Sequence, residues 1–147
     1  MATERHAEVT WNGDLMNGSG TIDSVGTGAF GPLDVSWAAR AEDATAGETS
    51  PEELLAAAHA SCFSMALAGG LAKGGNPPER LSTSATVTFV PGTGITKVAL
   101  AVRGAVPGLD EAGFREAAEG AKANCPVSKA LAGVGEITLD ASLAGAS

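Results

Sequence analysis

The chain has 147 residues, of which 44% are hydrophobic and 18% charged, a composition typical of a single globular domain (residues 1–147) with a substantial core. Nine Lys and Arg residues stand against 17 Asp and Glu residues, giving a net charge of −8. This balance argues against nucleic acid or an anionic membrane surface as a partner, because both need clustered cations. The first residues lack the apolar segment of a secretory signal, and we expect no apolar run of about 18 residues, the length of a membrane span.

The sequence pattern of the N-terminal third predicts strands and turns. Residues 4–11 and 20–24 have strand patterns and predict a hairpin. Residues 26–31 match G-x-G-x-x-G, but a dinucleotide site needs a helix after that motif. The residues that follow alternate as a third strand over 33–40, so we interpret the glycines as turn residues. Arg40 then falls at the end of that strand, opposite its apolar face, where an arginine is usually solvated but is a candidate cation for a site.

A buried central helix is predicted over residues 50–68, reached through a short acidic connection at residues 41–47. Ser50 suits the N-cap, and Glu53 three residues later completes a capping-box pattern. Beyond the first turn nearly every residue is apolar or small, which is typical of a helix buried on every side. Cys62 lies near the middle of this helix.

The C-terminal half predicts a second hairpin, over residues 81–90 and 95–103, and a last strand over residues 137–143 with one buried face. Helices fill the remaining length between these strands. The order of elements therefore predicts an α+β fold with mainly antiparallel β-sheet.

A second helix is predicted to start at Asp110, its N-cap, and to bury a stripe that begins with Phe114. It should end before Cys125, because Pro126 disfavours helical geometry in the preceding residue. Residues 126–131 then form a short helix with Cys125 at its N-terminal edge. Free N–H groups at that edge favour a thiolate.

The two cysteines differ in their predicted settings. Cys62 lies mid-helix, where burial raises its pKa, so a nucleophilic Cys62 needs a nearby cation. Arg40 is the best candidate, and a carboxylate would then be needed to hold it. His59 and Cys62 share one helix face and form half of a metal-ligand set, but two ligands do not make a zinc site. A histidine satisfied in the core is the preferred interpretation of His59.

Two long stretches resemble a known family. Residues 48–67 read ETSPEELLAAAHASCFSMAL, and residues 121–131 read AKANCPVSKAL. Both are similar to the signatures of OsmC-type proteins, in the family that also contains the organic hydroperoxide resistance (Ohr) proteins. The residues of both stretches resemble the OsmC branch of the family rather than the Ohr branch.

The resemblance implies a cytoplasmic, thiol-dependent peroxidase that reduces organic hydroperoxides and, less efficiently, hydrogen peroxide, in defence against oxidative and osmotic stress. It implies that Cys62 is the peroxidatic cysteine and Cys125 the resolving one, joined in a Cys62–Cys125 disulfide. Arg40 matches the active-site arginine and Glu52 the carboxylate that orients it. The implied fold is an OsmC-like, intertwined homodimer with active sites at its interface. The resemblance implies no metal, haem or flavin, and an external dithiol as reductant, such as a lipoylated protein.

Several alternatives stay open at this stage. Glu52 and Cys62 are separated by about 15 Å of helix, which favours a site in which Arg40 and Glu52 act on the partner's thiol over one formed within a single chain. Two other functions also fit the residues. One is a binding module whose apolar pocket holds a lipid-like or thiol ligand, and the other is a redox sensor whose disulfide turns over poorly.

Overall fold

The structure is a computed structural model that describes residues 1–42 and 46–144. The chain divides into two compact units, residues 1–54 and residues 55–147, and the division falls inside one long helix. Part of the acidic connection predicted over residues 41–47 lies outside the described residues. The single domain expected from the length of the chain stays a prediction.

The first unit contains a four-stranded sheet in the order β1-β2-β3-β4. Its strands are β1 (Ala7–Asn12), β2 (Ser19–Val25), β3 (Leu33–Val35) and β4 (Glu48–Thr49). The predicted hairpin of β1 and β2 is confirmed, β3 adds to it antiparallel, and β4 pairs with β3 in parallel. Gly28 lies in the turn that follows β2, with a φ of +72° that glycine adopts at no steric cost.

A short helix, α1 (Trp37–Ala41), replaces the second half of the strand predicted over residues 33–40. Ser36 is its N-cap, and the Ser36 hydroxyl accepts a hydrogen bond from the Ala39 N–H at 3.1 Å. The strand-like alternation of residues 33–40 was misleading, because the small residues near its end are alanines, which favour helix over strand. The strand prediction is therefore wrong beyond Val35, and Arg40 lies in the last turn of a helix.

The long helix α2 (Pro51–Lys73) begins as predicted. The Ser50 hydroxyl accepts a hydrogen bond from the Glu53 N–H at 3.2 Å, while the Glu53 carboxylate accepts one from the Thr49 hydroxyl at 2.9 Å. The N-cap is therefore confirmed, but the Glu53 side chain bonds to Thr49 rather than back to Ser50. By length and composition alone α2 could cross a membrane, so the expectation of no apolar run of that length is wrong. Buried core helices of soluble proteins share these properties.

In the part of α2 that belongs to the second unit, the buried residues form one stripe. The stripe repeats every four residues and consists of His59, Phe63, Leu67 and Leu71. The other α2 positions of this unit are half-buried, as Cys62 is, or exposed, and Met65 is 74% exposed. The prediction of a helix buried on every side is therefore wrong for the single chain.

The second unit contains a three-stranded sheet in the order β5-β6-β7. Its strands are β5 (Arg80–Val90), β6 (Gly94–Ala105) and β7 (Glu136–Leu143). The predicted β5–β6 hairpin is confirmed, and β7 pairs with β6 in parallel because helices α3 (Glu111–Asn124) and α4 (Pro126–Ala130) cross over between them. The predicted α+β class with mainly antiparallel sheet is confirmed: the β1–β2, β2–β3 and β5–β6 pairings are antiparallel, and one parallel pairing, β3–β4 or β6–β7, makes each sheet mixed.

The core of the second unit lies between this sheet and its helices. Asp110 caps α3 as predicted, accepting a hydrogen bond from the Gly113 N–H at 2.8 Å. The buried stripe of α3, the inner face of β6 and the α2 stripe form one cluster: Phe63, Leu67, Leu71, Leu100, Val102, Phe114, Ala118 and Ala121. Cys125 belongs to the same cluster and is fully buried. The packing thus places one predicted site residue inside the core.

Candidate active site

The two thiols of the chain are neighbours in the second unit. Cys62 lies half-buried on α2, and Cys125 lies fully buried at the N-cap of α4. Both are free thiols, and each shifts the pKa of the other. Residues 63 apart in sequence are therefore adjacent in the second unit, a contact about which sequence spacing is silent.

Cys125 is the thiol whose anionic form the second unit stabilises. Burial raises its pKa, but hydrogen bonds from the Ser128 N–H, the Cys62 thiol, the Ser128 hydroxyl and the Val127 N–H together outweigh burial and lower that pKa. The two backbone N–H groups belong to the first turn of α4, whose N-terminus favours negative charge. The pKa direction predicted from the position of Cys125 is confirmed.

Cys62 is in the opposite situation. Burial raises the pKa of the Cys62 thiol, its hydrogen bond to Cys125 raises it further, and the Val127 N–H lowers it only in part. The pKa direction predicted from its mid-helix position is likewise confirmed. A thiol with a raised pKa is a poor nucleophile at neutral pH, so Cys62 needs positive charge from outside these contacts to react as a thiolate.

Arg40 and Glu52 form an ion pair in the first unit. The Arg40 Nε donates to Glu52 Oε1 at 3.0 Å and to Glu52 Oε2 at 3.3 Å. The Glu52 side chain is 7% exposed and that of Arg40 34%, so the carboxylate is held inside the unit while part of the guanidinium reaches solvent. A hydrogen-bonded charge pair of this kind restricts the orientation of the guanidinium.

An apolar cavity of about 490 Å³ lies beside this pair in the first unit. Most of its lining comes from aliphatic and indole side chains, with the Arg40 side chain at one wall: Val9, Trp11, Leu15, Ile22, Val35, Trp37, Pro51 and Leu54. A cation at the wall of an apolar cavity suits a ligand with an apolar body and a polar or anionic group.

His59 makes a contact in the second unit that the sequence did not predict. Its Nε2 lies 2.7 Å from the Ser128 Oγ, and both side chains are buried. The interpretation of His59 as a core histidine is therefore correct for its burial but only in part for its hydrogen bonds, because its Nδ1 has no partner among the described residues. In the part of the chain that the structure describes, no three His, Cys, Asp or Glu side chains cluster as a metal site.

A sequence signal for this contact existed. His59 precedes Cys62 by three residues, and Ser128 follows Cys125 by three. On a helix that spacing places two side chains on the same face, so each polar residue accompanies a thiol. The long-range pairing of the two faces was not visible in the sequence.

The fold and these contacts define an α+β protein with two neighbouring thiols, one half-buried and one buried, able to alternate between a dithiol and a disulfide. Residues 43–140 match the family described as OsmC-like protein. Peroxiredoxin OsmC of Escherichia coli (strain K12) is 41% identical over 145 residues, covering 95% of this chain and 96% of the relative. The chain therefore belongs to the OsmC family. The name of that relative confirms the predicted enzyme class, a peroxidase.

Solved structures of the family share the fold. An OsmC like protein from Mycoplasma pneumoniae gives a TM-score of 0.72 at 16% identity, covering 99% of this chain and 100% of the other. An organic hydroperoxide resistance protein from Elizabethkingia anophelis gives 0.70 at 24% identity, covering 98% and 100%. The predicted OsmC-like α+β fold is thus confirmed, while catalytic roles at the four predicted site residues stay predictions.

Proposed function

We propose that this chain is a two-cysteine peroxidase that reduces organic hydroperoxides, with Cys62 as the peroxidatic cysteine and Cys125 as the resolving one. The observation that carries the proposal is the neighbouring position of two free thiols, one half-buried and one buried, each of which shifts the pKa of the other. A sulfenic acid formed at Cys62 would have the thiolate of Cys125 as its nearest sulfur. Membership of a family that includes a named peroxiredoxin supports the same assignment.

The first half of the cycle is the reduction of the peroxide. The Cys62 thiolate attacks the distal oxygen of the hydroperoxide, the O–O bond breaks, and the alkoxide takes a proton and leaves as an alcohol. Cys62 becomes a sulfenic acid. Because the second unit raises the pKa of Cys62, this step needs a cation, and Arg40 is the residue that the family resemblance assigns to it. Glu52 holds the guanidinium at 3.0 Å and is assigned as its orienting carboxylate.

The second half of the cycle restores the thiols. The Cys125 thiolate attacks the Cys62 sulfur, the S–O bond breaks, and the hydroxide takes a proton and leaves as water. An external dithiol then reduces the Cys62–Cys125 disulfide in two exchange steps and is itself oxidised to a disulfide. Lipoylated proteins are the reductant that the resemblance implies.

The apolar cavity of the first unit supports an organic hydroperoxide as the preferred substrate. Its aliphatic and indole lining beside Arg40 gains hydrophobic stabilisation from an alkyl or aryl group, which hydrogen peroxide cannot supply. The proposal therefore includes hydrogen peroxide as a poorer substrate, in a cytoplasmic protein that defends against oxidative stress.

A homodimer with its active sites at the interface is also part of the proposal. The exposed face of α2 supports it, because a helix of mostly apolar or small residues leaves Met65 74% exposed in the single chain, and a second copy would cover such a face. Peroxiredoxin relatives support a soluble protein.

Intact-mass analysis tests the cycle directly. The reduced protein is treated with one equivalent of cumene hydroperoxide, beside Cys62→Ser and Cys125→Ser. We expect the wild type to lose two hydrogens as the Cys62–Cys125 disulfide forms. Cys125→Ser should instead gain oxygen at Cys62, because its sulfenic acid has no resolving thiol and oxidises further.

Two outcomes would contradict the proposal. If the wild type keeps both thiols free, the chain is not a peroxidase of this type, and ligand screening of the apolar cavity would follow the binding-module alternative. If the disulfide forms but no dithiol reduces it in repeated cycles, the redox-sensor alternative replaces the enzyme.

A further inference from the structure

A buried histidine with no part in the proposed cycle lies next to the resolving cysteine. His59 on α2 is fully buried, and its Nε2 lies 2.7 Å from the Ser128 Oγ. Ser128 lies in the first turn of α4, whose N-cap is Cys125, and the Ser128 hydroxyl lowers the pKa of that thiol. These three side chains, which we name the His59–Ser128 relay, connect the buried imidazole to the resolving thiol.

The donors and acceptors in the relay have one consistent direction. A hydrogen bond that lowers the pKa of Cys125 is one in which the Ser128 O–H donates to the sulfur. The Ser128 oxygen is then left to accept, so the Nε2 of His59 must carry a proton and donate. Burial lowers the pKa of His59, which makes the neutral imidazole with its proton on Nε2 the form that fits.

Keeping His59 buried has a cost. Among the described residues its Nδ1 has no hydrogen-bond partner, and a buried polar atom without a partner is destabilising. An apolar residue of similar size at this position would avoid that cost. Such an arrangement points to a role in the site rather than in stability.

We propose that His59 is a positioning residue that, through Ser128, holds a hydroxyl proton on the Cys125 sulfur and thereby keeps the resolving cysteine as a thiolate. The inference rests on the proposed function, because it assigns Cys125 the resolving step. It extends to the reductive half of the cycle: a stabilised thiolate is the better leaving group, and Cys125 is also the less accessible sulfur. The external dithiol should therefore attack Cys62, form its mixed disulfide there, and expel the Cys125 thiolate, which the relay receives.

After the Cys62 thiol, the Ser128 hydroxyl is the next side chain that lowers the pKa of Cys125, and substitution can remove it. The Cys62 thiol of α2 faces Cys125 directly, and His59 of the same helix acts through Ser128. On α3 the Lys122 ammonium pairs with Glu119 at 3.4 Å, and Lys129 on α4 is exposed. The Arg40 charge that we assign to Cys62 would act equally in every variant compared below.

The test begins with the pKa of Cys125, measured by thiolate ultraviolet absorbance in a Cys62→Ser background that leaves one thiol. Ser128→Ala and His59→Leu remove the donors and should each raise that pKa, Ser128→Ala by about one unit, since a hydrogen bond to a charged group is worth roughly that much. Ser128→Thr keeps the hydroxyl and His59→Gln keeps a donor near the Nε2 position, so both should stay close to the parent value.

A second readout is the rate at which the Cys62 sulfenic acid closes to the disulfide, followed by rapid mixing across pH in chains that keep both cysteines. Raising the pKa of Cys125 by one unit removes about nine-tenths of its thiolate at pH values below the parent pKa. The thiolate that remains is about threefold more nucleophilic. Ser128→Ala should therefore close about threefold more slowly at low pH and about threefold faster at high pH. A loss of stability alone would not make the two profiles cross.

Ser64→Ala is the matched control, because Ser64 on the same helix makes a hydrogen bond of the same length, 2.7 Å, to the Thr83 hydroxyl. It should leave both the pKa and the closure profile unchanged. The inference is overturned if Ser128→Ala and His59→Leu match the parent pKa, or if their closure profiles lie below the parent at every pH. A wild type that forms no disulfide would refute the proposed function instead, and the pKa measurement would still decide whether the relay acts on Cys125.

Discussion

Two pairs of side chains define the chemistry at the scale of single residues. In the second unit, local contacts lower the pKa of Cys125 and raise that of Cys62, so the thiol assigned to attack the peroxide is the less acidic of the two. The asymmetry is compatible with a peroxidase only if a cation acts on Cys62. Arg40, restrained by a carboxylate that is 7% exposed, is suited to supply that charge in a fixed orientation.

At this scale we predict that Glu52→Gln lowers kcat/KM for cumene hydroperoxide by about 10²-fold, because the loss of one orienting charge misplaces the guanidinium. Steady-state kinetics with a dithiol reductant measure the effect. Glu48→Gln is the matched control, since the Glu48 carboxylate accepts a hydrogen bond from the Ser36 hydroxyl at 2.7 Å. A Glu52→Gln enzyme with the wild-type rate would remove Glu52 from the site.

At the scale of elements, α2 connects the candidate site to the core. Its N-cap fixes where the helix starts, and its buried stripe of His59, Phe63, Leu67 and Leu71 fixes which face meets the sheet. The spacing of three residues between His59 and Cys62 then sets the direction in which the thiol points. The helix start and its buried face therefore both affect the geometry of the thiols.

The cap of α2 yields the prediction for this scale. Ser50→Ala should destabilise the protein by about 1 kcal/mol, because the Glu53 N–H loses its acceptor. Ser61→Ala on the same helix should be neutral or slightly stabilising, since the Ser61 hydroxyl only bonds back to the Ala57 carbonyl at 2.7 Å. Urea unfolding at one fixed protein concentration measures both changes, and equal effects would contradict the assignment of Ser50 as a stabilising cap.

At the scale of the whole molecule, the proposed cycle needs residues from both compact units. Arg40 and Glu52 belong to residues 1–54, and the two thiols belong to residues 55–147. About 15 Å of helix separates Glu52 from Cys62, which favours an Arg40 that serves the Cys62 of a second copy. Assembly would then create the active site rather than merely stabilise it.

Mixed dimers decide this point. A dimer with Cys62→Ser on one chain and Arg40→Ala on the other should keep one intact site, about half of the wild-type activity, if Arg40 acts on the partner, and none if it acts within its own chain. A dimer with both substitutions on one chain and a wild-type partner should be inactive if Arg40 acts on the partner. It should keep one intact site if Arg40 acts within its own chain. Co-expression with two affinity tags isolates each mixture, and activity in the second dimer alone would establish a site within one chain.

The sequence predicted local structure correctly where contacts between neighbouring residues determine it. The caps at Ser50 and Asp110, the two hairpins, and the position of Cys125 at a helix N-terminus all follow from contacts a few residues apart. The family signatures around Cys62 and Cys125 added the enzyme class.

Only the tertiary structure decided the rest, because those features depend on contacts between distant residues or on a local choice between two weak preferences. Residues 37–41 are helical because the Ser36 cap and three alanines outweigh an alternation typical of a strand. The pairing of the two thiols and the His59–Ser128 contact join residues 63 and 69 positions apart, and no local propensity determines such pairings. They arise when α2 and α4 pack into one core, where burial makes every polar contact energetically significant.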